Sequence, residues 1–309
     1  MLMKRKLVKQ GLRALTITIP SEWAERNNLK PGDEIDMTEI DNALHISPEG
    51  KMSLKEIAVD ISGLLPRLAD RFMARSYQKG YDKITLKFDD PELMLAVKNK
   101  IPELMGFEIF NIEKDKIEIQ VISKQLDLDF DTILRRGMLI LMEMAKTCRD
   151  AWKNGDKKSL ENIFHQDYDV NRFLYFCLRE LNKSSKIMNF GMSILYYLVE
   201  SLEDLGDELK QLGAILSKIN PDKDILNILD KMNEMFRISY EFFYKPEKSK
   251  AVRAFKLNKE ISSLIDNALE AKRKEYIKAL ISIDFSNRII YHLTTMRLDT
   301  LKELSGENS

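Results

Sequence analysis

The sequence predicts a mainly α protein: a helical bundle of two three-helix halves, preceded by a small β module and a small α/β connector domain. Three observations predict it. Apolar residues keep a helical period through most of 129–304, residues 4–48 alternate with the period of strands, and residues 51–123 mix the two. The predicted boundaries are 1–49 for the β module, 50–124 for the connector and 125–309 for the helices.

In the β module, Leu15, Ile17 and Ile19 alternate with Thr16 and Thr18, which gives a strand with one apolar face. Pro20 ends it, and Ser21 is placed to N-cap a short helix over Ser21–Asn28. Lys30-Pro31-Gly32-Asp33 makes a turn, and Glu34 opens a strand to Ile40. Asp41-Asn42 then reverses the chain into a strand over Ala43–Ser47, which Pro48 stops.

The connector reads as a helix over Leu64–Gln78, a strand over Lys83–Phe88 after Gly80, and a helix over Pro91–Lys100. Gly106–Ile112 and Lys116–Ile122 then form a hairpin around Glu113–Asp115. No chemistry is legible in this region.

From Asp129 one apolar seam runs through Phe130, Leu134, Met138, Leu141, Ala145, Cys148 and Trp152, until Asn154-Gly155-Asp156 breaks the helix. A second helix reaches Leu181. Asn182–Ser185 separates it from a third, which reaches Ile219, and Asn220-Pro221-Asp222 opens a fourth that ends at Lys245-Pro246. Beyond Pro246 the pattern fits two long helices or one bent pair. Long helices joined by short turns make an antiparallel bundle, and halves at 129–219 and 222–304 are compatible with a distant duplication.

Composition narrows the function. The 309 residues carry 49 basic and 49 acidic side chains, so the whole chain is not a polyanion binder, although a local basic patch remains open. Cys148 and Cys177 lie far apart within helical patterns and make neither a disulfide framework nor a paired-cysteine metal site. The N-terminus lacks a signal-peptide pattern, and no stretch is apolar enough to span a membrane. Together these features predict a soluble cytoplasmic protein whose membrane link, if any, runs through a partner.

Two groups of residues are candidates for chemistry. Glu200, Glu203, Asp204 and Asp207 fall within about 100° of one helix circumference, opposite Leu198, Leu202, Leu205, Leu209, Leu212 and Leu216. This is a solvated acidic face unless carboxylates from another helix converge on it as metal ligands. Asp167 and Asn171 lie in the apolar seam of the preceding helix, where a carboxylate needs a cation, a metal or a hydrogen-bond network. Asp284 and Arg288 fall on the apolar side of the last helix, with an i,i+4 spacing that an ion pair explains. His45, His165 and His292 build neither a triad nor a metal site, and no phosphate-binding glycine loop or nucleophile elbow occurs. The second group is basic. Residues 1–30 hold Lys4, Arg5, Lys6, Lys9, Arg13, Arg26 and Lys30 against Glu22 and Glu25, a net charge of +5 in a neutral chain. That suits phosphate-backbone contacts, and a dimer would double the field.

Two resemblances follow from these residues. Lys6–Pro48, with Leu-Thr-Ile-Thr-Ile-Pro at 15–20 and Leu-Lys-Pro-Gly-Asp-Glu-Ile at 29–35, resembles the AbrB/SpoVT swapped-hairpin domain. The resemblance implies an intertwined homodimer that contacts DNA through basic residues, here Lys4, Arg5, Lys6, Lys9 and Arg13. Leu202-Glu203-Asp204-Leu205-Gly206-Asp207 resembles the Glu-x-x-x-Asp motif of the PhoU family, which binds metal clusters in some members. Asp167-x-x-x-Asn171 takes the corresponding place on the preceding helix, with Asn where Asp is usual. The second half departs further: Leu280 stands where an acid is expected beside Asp284, and Glu260 and Asp266 lack the motif spacing. What the resemblance implies is therefore one cluster near Asp167, Glu203 and Asp207, holding a divalent or trivalent ion such as Fe, Mn, Zn or Mg.

The combination looks like the archaeal phosphate-uptake regulators. It implies a non-enzymatic transcriptional regulator, phosphate-responsive and DNA-binding, with a phosphate ABC transporter ATPase or a signalling kinase among its partners. The rival class is an adaptor whose β module only dimerises while the helices dock on such a partner. A metal-dependent hydrolase is a distant third.

Overall fold

The computed structural model describes residues 4–11, 13–40, 43–48, 54–122, 129–183, 191–271 and 273–300. The chain divides into two compact units, 1–55 and 56–309.

In the first unit, β1 (Val8–Gln10) pairs antiparallel with β2 (Ala14–Thr16), and Gly11 takes a positive φ of 71° in the turn between them. Helix α1 (Ser21–Arg26) follows, then β3 (Ile35–Ile40), paired antiparallel with β4 (Ala43–Pro48). Ser21 is not the cap expected of it. Pro20 holds that place in an extended conformation, and its carbonyl accepts from the Trp23 and Ala24 N–H groups at 3.0 and 3.1 Å. A proline there is pre-set for the turn and gives up no donor that the helix needs. The Lys30–Asp33 turn is closed by the Lys30 N–H donating to Asp33 Oδ2 at 2.8 Å. The reversal expected at Asp41-Asn42 lies outside the described residues. The paired part of β2 is shorter than the alternating run, so Ile17 and Ile19 stand beyond the ladder.

In the second unit, β5 (Glu56–Asp60), α2 (Pro66–Gln78), β6 (Lys83–Lys87), α3 (Pro91–Lys100), β7 (Phe107–Ile112) and β8 (Lys116–Val121) form the mixed part. Its sheet has the order β5-β6-β8-β7, with β5 parallel to β6 and the other pairs antiparallel. Strand β5 is not among the expected elements. It is five residues long and pairs with β6 through the crossover helix α2, a long-range partnership that local alternation does not reveal. Ile84, Leu86, Ile117 and Ile119 are fully buried on one face, with Met73 and Tyr77 of α2 in the same core. Pro91 sits at the first turn of α3, and Asp90 caps it by accepting from the Glu92 N–H at 2.8 Å.

The helices are α4 (Phe130–Asn154), α5 (Lys157–Lys183), α6 (Met192–Leu216), α7 (Lys223–Tyr244), α8 (Lys248–Ala271) and α9 (Lys274–Asp299). Asp129 caps α4 by accepting from the Thr132 N–H at 2.9 Å, and Gly155 closes that helix at φ 69°. Asp222 caps α7 in the same way. Asn182, expected in a separator, belongs to α5, where its amide donates to the Leu178 and Gln78 carbonyls at 3.1 and 2.9 Å. The end of the chain resolves into two helices, not one bent pair. Helices α4–α6 pack on one another, as do α7–α9, and the halves meet first helix to first (α4 on α7) and third to third (α6 on α9). The core is therefore a mainly α bundle of two three-helix halves, with Leu202, Leu205, Leu209 and Leu212 of α6 fully buried.

The mixed part is riveted to the first half through α5. Tyr175 of α5 enters the core of the sheet and its helices. Arg179, 4% exposed, donates to the Tyr77 and Tyr81 carbonyls at 3.1 and 2.6 Å, pairs with buried Asp82, and lies over the rings of Tyr77 and Phe107. Lys183 also pairs with Asp82. Removing either Arg179 or Asp82 takes a counter-charge from a buried charged group. Arg179→Met or Asp82→Asn is therefore expected to lower the stability of the full chain by about 3–5 kcal/mol in urea unfolding. Replacing both with apolar residues should cost less than the two losses added. A loss below about 1 kcal/mol for either single change would show that this pairing does not fasten the two parts.

Candidate functional site

The basic candidates sit on and around the first hairpin. Lys4, Arg5 and Lys6 lead into β1, Lys9 lies within it opposite Leu15, and Arg13 stands in the turn; all are exposed. In this antiparallel pair, directly opposed side chains share a face, so Lys9 and the apolar Leu15 project together. Apolar residues of the same unit are exposed as well: Leu7 65%, Leu15 61%, Met37 58% and Leu44 61%. Among the described residues of this unit none is buried. A hairpin with no interior is at best marginal in water, so the apolar face requires a covering surface.

The acidic candidates lie where α5 crosses α6. Asp167, 4% exposed, accepts from the Lys210 ammonium at 2.6 Å through Oδ2. The same ammonium donates to Asp207, one turn earlier on α6. The close approach of the helices depends on Gly206, since a Cβ there would stand 3.2 Å from Asp167 Oδ1 and 3.4 Å from both Leu141 and Val170. Burial raises the Asp167 carboxyl above its usual range, an effect that Lys210 opposes. Burial works against the charge on Lys210 too, but its two carboxylates outweigh it and hold the ammonium above its ordinary value.

Glu203 is set apart from that pair. It accepts from the Tyr175 hydroxyl at 3.3 Å. Burial first, then the neighbouring Asp207 and Asp204, pushes its carboxyl up to about 7. Glu200 is neutralised from the mixed part, where Arg75 of α2 forms a two-pronged ion pair with it. The face is therefore not uniformly solvated. Glu200 and Glu203 are partly buried, and Asp204 and Asp207 are exposed. On α9, Arg288 pairs with Asp284 at 2.6 Å, as their spacing predicts, although Arg288 and Ile281 face solvent while Ser282, Ser286 and Asn287 are buried.

Sequence reasoning missed Lys210, Arg75 and Glu103. The first has a signal, a base one turn after Asp207; the other two come from a region whose packing no local pattern announces. Glu103 lies just after α3, 6% exposed, and pairs with Lys100 at 2.8 Å. The Asn171 amide of α5 lies beside it, and Lys100 also reaches Asp70 at 3.2 Å. Among the described residues, no group of three or more His, Cys, Asp or Glu side chains is arranged to hold a metal ion.

Residues 8–53 match the family described as antidote-toxin recognition MazE, bacterial antitoxin. The chain is also similar to the crystal structure of the phosphate transport system regulatory protein PhoU from Streptococcus pneumoniae. Identity is 14% and the TM-score 0.47, over 58% of this chain and 98% of that one. The chain is thus similar to a MazE-type module over residues 8–53 and to a PhoU protein over 58% of its length. No curated protein matches in sequence. Among the described residues, no helix is long and apolar enough to cross a membrane.

Glu203 supplies a pH prediction. Its folded-state value of about 7 lies above the 4.5 of an ordinary glutamate, so the neutral acid suits the fold and ionisation opposes it. Its contribution is intact below pH 4.5 and is lost as pH rises through 7. Glu203→Gln should therefore stabilise the protein at pH 8, by up to about 3 kcal/mol, and change little at pH 4.5. Urea midpoints across that range test it; parallel profiles for the two proteins would refute the assignment.

Proposed function

We propose that the chain is a non-catalytic, phosphate-responsive transcriptional regulator of phosphate uptake, acting in the cytoplasm as a homodimer. The N-terminal module contacts DNA, and the helical unit receives the signal. The observation that carries this reading is the module itself. It exposes its apolar side chains and, beside them, the five cations Lys4, Arg5, Lys6, Lys9 and Arg13. A second copy of the module is the natural cover for the apolar face, because Ile17 and Ile19 extend beyond the ladder of β2 and offer pairing positions to another chain. Such a pair sets two basic arms side by side, the electrostatic footprint of a protein that follows a phosphate backbone. The match of 8–53 to a recognition module supports the same assignment, and the phosphate signal follows the resemblance of 202–207. The buried thiols Cys148 and Cys177 suit a reducing compartment.

The decisive assay is fluorescence anisotropy with duplexes from upstream of the protein's own gene and of phosphate-transport genes, against a scrambled duplex. The expected result is sequence-preferring binding that weakens steeply with salt. In Arg5→Ala/Arg13→Ala the salt slope should fall by about 0.9 for each phosphate no longer neutralised. Light scattering should return twice the 36.0 kDa chain mass, and Ile17→Asp should shift the protein toward monomer. Absence of binding at every salt concentration would overturn the DNA reading in favour of an adaptor that docks on a phosphate ABC transporter ATPase or a signalling kinase.

A further inference from the structure

The residues that the PhoU resemblance marks for a metal do not fit one in this fold. Asp167 and Asp207 converge from two helices, as a metal site requires, but what lies between them is an ammonium group. We infer that Lys210 is the resident cation of this site, taking the place of a metal ion between Asp167 and Asp207, so that the first half of the bundle closes without metal.

Three features carry this. Lys210 Nζ bonds both carboxylates, and Asp167 is buried, so its charge requires a permanent counter-ion at that spot. A metal ion bound to the same oxygens would lie a few ångströms from a half-buried ammonium, and like charges at that range repel strongly. The third expected ligand is also engaged elsewhere, since Glu203 takes its hydrogen bond from Tyr175. A second lysine stands nearby: Lys100 pairs with Asp70 and Glu103 in the mixed part, and its charge also favours ionised Asp167. Burial leaves Asp167 Oδ1 without a hydrogen-bond partner among the described residues, so one carboxylate oxygen stays available should the lysine be removed.

The inference is independent of whether the chain binds DNA. Its test compares Mn2+ uptake by the full chain and by Lys210→Met, using equilibrium dialysis and thermal unfolding. The wild type is expected to take up no stoichiometric Mn2+ and to show an unchanged Tm. The variant should be less stable without metal and should gain a saturable site. At about 100-fold excess over its dissociation constant, Mn2+ should raise the variant's Tm by roughly 5–10 °C. Adding Asp167→Asn to the variant should abolish that gain. Stoichiometric Mn2+ binding by the wild type would overturn the inference whether or not the variant folds. A folded variant that gains no Mn2+ site would overturn it equally, because the two carboxylates would then not be poised as a cation site.

Discussion

The buried pairing of Arg179 with Asp82 is the constraint on which the second unit depends. A guanidinium at 4% exposure is tolerable only if its donors are used, and here they reach two backbone carbonyls and a carboxylate. All three acceptors belong to the end of α2 and the turn that follows it, while the arginine belongs to α5. The mixed part therefore cannot shift along the first half of the bundle without breaking a fully desolvated network. Such a network adds little net stability over an apolar contact of the same volume, but it favours one register, since a slide along α5 separates Arg179 from its acceptors. Arg75 on Glu200 and Tyr175 in the sheet's core add to the same junction.

That junction gives the acidic face its character. Because α2 and the turn at 101–103 pack on α5, and Arg75 of α2 reaches α6, Asp167, Glu200 and Glu203 are partly or wholly desolvated. Glu200 finds Arg75, and Asp167 and Asp207 share Lys210. Glu203 accepts from a phenol, and burial, with Asp207 and Asp204 nearby, holds its proton to near neutral pH. Gly206 sets the spacing, at the cost of about 1 kcal/mol that a glycine imposes within a helix. The first unit obeys the opposite logic: none of its described residues is buried, so its apolar side chains need a covering surface.

Much of this architecture is legible in the sequence. The seam from Phe130 to Trp152, the glycine at 155 and the cap at Asp222 are local signals, and local signals fix helices. Strand β5 escapes because its identity depends on pairing with β6 more than twenty residues away. The last helix misleads for a different reason. Its buried face carries Ser282, Ser286, Asn287 and Thr294, so the apolar period is blurred and Ile281 falls outward. At the acidic site, the carboxylates are visible as a helical cluster, but their partners are not. Arg75 and Glu103 come from a part of the chain whose position relative to α5 and α6 follows only from tertiary packing. Lys210 alone is within reach, as the base three residues after Asp207.

In the proposed function, two copies of the N-terminal module together form one DNA-binding surface. Sedimentation of the full chain with a duplex from upstream of a phosphate-transport gene tests it most directly. The expected result is a complex of two chains per duplex that dissociates as salt is raised, while the protein itself stays dimeric. A dimer that sediments free of the duplex at low salt would contradict it.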